Sequence, residues 1–243
     1  MLTKNIIINQ HTFPAKSIER FTDTNGCVQV FRIPSGTLFP AKPANNIFSR
    51  RQIWDQRAEQ GYGKSIEDKF QALVEYVIVN NVKTLPLDAH RTVGEFYALW
   101  RLRCTIDEYD HLIGKKIAGL SGSKLTNEEK LNLELKHAMY TEPDGSVPKR
   151  FTRGLVMQQG IDIFMARNGH LRWFISTSGH LEFLISDNPE GEFIIPITPR
   201  SCFILGFDVP KLSPDQVREL NLNAIFRSKR YYFAKSLQKC IYA

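Results

Sequence analysis

The chain has 243 residues, of which 42% are hydrophobic and 23% charged, the balance of an ordinary globule with room for one good core. No apolar run reaches the length of a membrane span, and Cys27, Cys104, Cys202 and Cys240 are too scattered for a zinc ribbon or a disulfide framework. The formal charge of +7 fits either a polyanion-binding surface or ordinary solvated charge.

Residues 1–9 read as a short strand, without the long apolar core and cleavage site of a secretory signal. A reducing, cytoplasmic setting is therefore expected. Thr24-Asn25-Gly26 is a turn signal before a strand at residues 27–33. Residues 34–46 hold three prolines and read as a loop. Ser65 opens a helix whose Ile66, Phe70, Leu73, Val74 and Val77 keep helical spacing. A second helix runs from about Ala89 to Ile113. Thr126 and Glu129 have capping-box spacing and start a third helix toward Tyr140. A fourth runs from Lys149 to Asn168, although Gly154 and Gly160 are poor helix formers. Strands are expected at 170–176, 181–185, 193–197 and 202–207. Ser213-Pro214 caps a helix through Phe226, and 231–234 is a last strand.

Strands, then helices, then strands predict an α+β fold. The expectation is one domain over residues 1–243. Its N- and C-terminal strands form one mostly antiparallel sheet, and a helical middle of about residues 65–168 packs on it.

Four residues stand out as candidate catalytic groups. His11, in His11-Thr12-Phe13-Pro14, can be a base, a ligand or a phosphate contact, or simply bond a nearby carbonyl. Arg103 follows Phe96, Leu99 and Trp100 on one helical face, so its guanidinium should be buried and paired. Asp107, four residues onward, can supply the partner. Asp187 and Asn188 lie in Ser186-Asp187-Asn188-Pro189 between two strand-like runs. Such a turn either presents a carboxylate and an amide at a strand end or satisfies its own backbone. Arg50, Arg51, Lys149 and Arg150 are candidate substrate-binding cations. Asp187 with Glu67 would hold Mg²⁺ or Mn²⁺ if the sheet and helix bring them together. No GxSxG elbow, Walker loop or Rossmann fingerprint is present.

These motifs, taken in order, resemble a microbial domain family of unknown function. Its members open with His-x-x-Pro, continue through a Phe-rich helix ending in Arg and a Trp strand, and carry a Ser-Asp-Asn-Pro turn. The counterparts here are His11 to Pro14, Phe96 to Arg103, Trp173, Ser186 to Pro189, Pro196 to Pro199 and Asn223. Family members often have Gln at the position of Trp100. The resemblance implies the architecture and groups His11, Arg103, Asp187 and Asn188 as a set, without supplying a reaction.

The expected function is an enzyme acting on a phosphate-bearing substrate, with nucleic acid first among them. A nuclease of the toxin or phage-defence kind is one form. The alternative is a non-catalytic binding module, or a subunit of a nucleic-acid-associated assembly or homo-oligomer that uses Tyr62, Tyr231 and Tyr232 against a partner. No membrane partner is expected.

Overall fold

Strands from the N-terminal and C-terminal parts of the chain pair in one sheet, each burying one alternating face. The computed structural model describes residues 6–112, 116, 119–191 and 193–241. The N-terminal part contains β1 (Asn9–His11), α1 (Ala15–Glu19), β2 (Val28–Arg32), β3 (Thr37–Ala41) and β4 (Ser49–Arg51). A π-helical turn, Arg57–Gly63, leads into α2 (Lys64–Val79). Then come α3 (Ala89–Thr105), a 3-10 segment (Ile106–Leu112), α4 (Asn127–Leu135) and α5 (Lys149–Asn168). The C-terminal part holds β5 (Trp173–Ser178), β6 (Ile185–Ser186), β7 (Ile194–Thr198), β8 (Ser201–Leu205) and β9 (Lys211–Leu212). It closes with α6 (Pro214–Arg227), β10 (Tyr231–Ala234) and α7 (Gln238–Ile241).

The fold is α+β, and its N- and C-terminal strands pair. Among the described residues the strands divide into three sheets, ordered β1-β4, β3-β2-β10-β6 and β7-β8-β5-β9. In the second of these, Phe233 of β10 lies opposite Val30 of β2 on one side and Ile185 of β6 on the other. Val28, Val30, Tyr231 and Phe233 point into the core, while Phe31 and Tyr232 stack on the opposite surface at 5.1 Å. This is the period-two alternation of a half-buried sheet. Phe13, Phe48 and Phe233 pack together beneath it, and Phe70 of α2 stacks on Phe96 of α3. The helices thus close the core from the middle of the chain.

Several local expectations are corrected. The proline-bearing stretch expected as a loop contains β3, with Pro40 opposite Gln29. β3 is the edge of its sheet, where a missing N–H can be tolerated. The strand expected at 181–185 survives only at Ile185. The donors before it go three ways: Glu182 N–H to Lys239 O, Phe183 N–H to Pro199 O and Leu184 N–H to Asn221 Oδ1. The second helix gives way to 3-10 geometry at Ile106, and Ile113, its expected end, lies outside the described residues, as do residues 1–5 of the N-terminal run. The third helix has its capping box but stops at Leu135, close to His137, which adopts a left-handed backbone (φ 61°).

The two glycines of α5 have packing reasons. A Cβ on Gly154 would lie 2.4 Å from Asp55 Oδ1, and one on Gly160 would lie 2.8 Å from Leu102 Cδ2 of α3. Close approach there offsets a helix-propensity cost of about 1 kcal/mol per glycine.

His90 ties α3 to β5, since its Nδ1 accepts from the Trp173 N–H at 3.1 Å. Burial, with Arg172 nearby, lowers its pKa below the ordinary 6.5. The unfolded chain therefore takes up a proton on acidification before the native state does, and stability falls as pH drops through about 6.5. The fall ends below the lowered native value. Urea melts at about pH 7.5 and 5.5 should show it, and His90→Gln, which keeps an acceptor, should lose this component. An unchanged pH dependence in the variant would assign the loss to other groups.

Candidate functional site

Arg103 sits in the last turn of α3, and its side chain is 2% exposed. One terminal nitrogen pairs with Glu67 Oε1 and the other lies 3.4 Å from Glu59 Oε2. Its guanidinium carbon is 5.2 Å from the Trp54 ring centroid, and the Trp54 indole N–H donates to the same Glu59 oxygen at 2.6 Å. Burial alone would lower the arginine pKa. Glu67 and Glu59 more than offset this and raise it. Arg103 is thus buried and carboxylate-paired as expected, but its partners come from α2 and the π-helical turn rather than from Asp107.

Asp187 is equally enclosed. Its Oδ1 accepts the Lys229 N–H at 2.8 Å, and its Oδ2 accepts the Arg230 N–H at 3.0 Å and Arg230 Nε at 3.1 Å. The carboxylate fixes the turn into β10 and aims one arginine. Ser186 Oγ accepts the Asn188 N–H at 2.9 Å, and Asn188 Nδ2 donates to Arg227 O at 3.1 Å. Asn188 Oδ1 is buried with no hydrogen-bond partner among the described residues. The turn therefore satisfies most of its own backbone and also braces the strand beside it. Glu67 and Asp187 serve different arginines, and no contact joins them. Among the described residues no group of three or more His, Cys, Asp or Glu side chains is gathered to hold a metal ion.

Arg230 borders two clefts. The larger, about 540 Å³, is lined by Arg32, Asn45, Asn46, Ser49, Arg230 and Tyr231, with Pro34, Phe39 and Ile47 as its apolar wall. No carboxylate is among these residues. Arg32 and Tyr231 are register partners, and the Ile33 N–H donates to Arg230 O, so both guanidinium groups start from adjacent strands. The smaller cleft, about 200 Å³, includes Arg50, Cys104, Asp107, Glu108, Asp187 and Lys229. Burial, with the Asp187 charge, pushes the Cys104 thiol up to about 12, which keeps it protonated at neutral pH.

His11 is near the larger cleft without lining it. β1 sets it opposite Ser49, and its Nε2 lies 3.2 Å from Pro43 O. A carbonyl only accepts, so Nε2 is the donor in this contact. Thr12 Oγ1, next along the chain, is 3.3 Å from the Tyr231 hydroxyl. The His-x-x-Pro motif thus touches Tyr231 and the Ser-Asp-Asn-Pro motif holds Arg230, while Arg103 belongs to a separate buried network.

The predicted surface cations are mostly engaged. Arg50 pairs with Asp107, and Lys149 lies 3.6 Å from Asp110 Oδ2. Arg150 donates to Glu134 at 2.9 Å and to the Tyr140 hydroxyl at 2.7 Å. Arg51 is exposed, opposite Asn9. The 3-10 segment supplies much of this pairing, for Asp107 and Asp110 also bind Arg153, and Glu108 binds Lys229. Tyr231, expected on an exposed surface, is 1% exposed. Tyr62 donates its hydroxyl to Gly154 O at 2.8 Å.

Arg32, Asn45, Asn46 and Arg230 were not among the predicted site residues. The basic cluster at Arg227, Lys229 and Arg230 was the one available signal in the sequence. Compared with family models, with curated proteins and with solved structures, the chain matches none. No helix among the described residues is long and apolar enough to cross a membrane.

Proposed function

We propose that the chain binds a phosphate-bearing ligand, with nucleic acid as the substrate class, in the cleft between Arg32 and Arg230. The observation that carries this reading is two guanidinium groups bordering one cleft whose described lining has no carboxylate. Guanidinium forks match phosphate oxygens. Asn45, Asn46 and Ser49 add neutral hydrogen-bonding groups, and Phe39 with Ile47 offers an apolar wall for a base or sugar. Asp187 holds Arg230 in place from behind. In the nuclease form of this reading His11 acts as general acid or base at the cleft border, with Mg²⁺ or Mn²⁺ as the candidate ion. The binding-module form is favoured by one observation: Asp187 and Arg103 find their partners inside the fold. The family resemblance groups the same two motifs, and the free thiols suit a cytoplasmic setting.

Fluorescence anisotropy with labelled single-stranded and duplex RNA and DNA tests the proposal. Arg32→Gln and Arg230→Gln should each weaken binding by roughly 10- to 100-fold, from the strength of a charge-assisted hydrogen bond. Each should also reduce the salt slope by about 0.7–0.9. Asp107→Asn with Glu108→Gln should tighten binding by freeing Arg50 and Lys229. Gel assays with Mg²⁺, Mn²⁺ or EDTA separate the two forms: cleavage lost in His11→Ala with binding retained assigns the nuclease. Unchanged affinity in the Arg32→Gln, Arg230→Gln double variant would refute the site.

A further inference from the structure

A separate cleft of about 270 Å³ lies where α3 and α5 meet the residues after Pro189. It shares no described lining residue with the two clefts around Arg230. Arg101 of α3 and Arg167 of α5 border it, and Glu190 is the one carboxylate in its described lining. Arg101 is poorly satisfied. Its contact with Glu190 is 3.4 Å long, and its Nε is buried with no hydrogen-bond partner among the described residues. The long pair leaves its terminal nitrogen open to a stronger acceptor, which an anion in the cleft would supply. Arg167 is exposed and forms no ion pair among the described residues. The cleft also presents an aromatic surface. Phe193 is 41% exposed, and its ring is braced by Tyr97 at 5.6 Å and Phe164 at 6.2 Å.

An exposed, rigidly backed ring beside two guanidinium groups matches a planar base joined to a phosphate. The volume, close to the lower end of ligand pockets at about 300 Å³, limits the ligand to one small unit. We propose that this cleft binds a mononucleotide, with the base stacked on Phe193 and the phosphate held by Arg101 and Arg167. The phosphate takes the place of the Glu190 carboxylate on Arg101. That exchange is easy because Glu190 is half-exposed and its pair is long. Arg227 holds the Glu190 carbonyl, so the side chain moves while the turn stays fixed. The inference is independent of the Arg230 cleft.

Isothermal titration of the full chain with AMP, adenosine and ribose 5-phosphate tests it. AMP should bind saturably, and each fragment should bind at least about tenfold more weakly, since each lacks either the charge-assisted contacts or the stacking. Arg167→Gln should weaken AMP binding by about tenfold or more. Phe193→Ser should weaken AMP but leave ribose 5-phosphate unchanged. Glu190→Gln should tighten AMP binding, because it removes the competing carboxylate, and Arg32→Gln should have no effect. Circular dichroism melts confirm that each variant is folded. Absence of saturable AMP binding at millimolar concentration overturns the proposal. So does binding that survives Arg167→Gln but fails in Arg32→Gln. Ribose 5-phosphate binding as tightly as AMP overturns the assignment to nucleotides.

Discussion

Replacing Arg103 by methionine is expected to remove about 3–5 kcal/mol of folding stability, the cost of leaving buried charge without its partner. Glu67 and Glu59 would both lose their cation, and Trp54 would lose the charge over its ring. Adding Glu59→Gln and Glu67→Gln to Arg103→Met should recover much of the loss, because the uncompensated charges then disappear. Guanidinium denaturation with linear extrapolation measures both. Arg103→Lys should fall between, since one ammonium keeps the charge but cannot fork toward two carboxylates from opposite sides. A loss below about 1 kcal/mol in Arg103→Met, within the range of an exposed pair, would show that the network is not structural. The guanidinium would then be open to a role in ligand binding.

Asp187→Asn should cost about 1–3 kcal/mol, the penalty for weakening buried hydrogen bonds to a charged acceptor. An amide has one acceptor oxygen for the three donors that Asp187 now serves, and its NH₂ group would face donors of Lys229 or Arg230. The same change should weaken nucleic-acid binding less than Arg230→Gln does, because it loosens the arginine without removing it. Urea denaturation and anisotropy on the same protein give both numbers. Full stability with abolished cleavage would place Asp187 against the substrate instead of behind Arg230.

The two cases show where sequence reasoning reached and where it stopped. Arg103 was legible as a buried cation because Phe96, Leu99 and Trp100 lie on its helical face. Its partner was not. The i+4 rule named Asp107, but α3 yields to 3-10 geometry at Ile106, so Asp107 leaves that face and pairs with Arg50 and Arg153. The true partners lie 36 and 44 residues away. Tyr231 failed for a related reason. Alternation shows that β10 has two surfaces, but not that β10 sits inside its sheet with one surface against Phe13, Phe21 and Phe48.

Local chemistry was enough for what depends on near neighbours along the chain. The capping box at Thr126, the N-cap at Ser213, the full span of α5, the strand Tyr231–Ala234 and the α+β order all follow from side chains within a turn or two of each other. The turn at Ser186 to Pro189 was also visible, as a pause between apolar runs. The clefts were decided only by the tertiary structure. Arg32 and Arg230 are separated by most of the chain, and the basic cluster around Arg230 gives no hint of Arg32. They border one cleft because β2 and β10 pair antiparallel. That pairing is set by burial of Val30, Phe233 and their neighbours, a global packing choice that no local window contains.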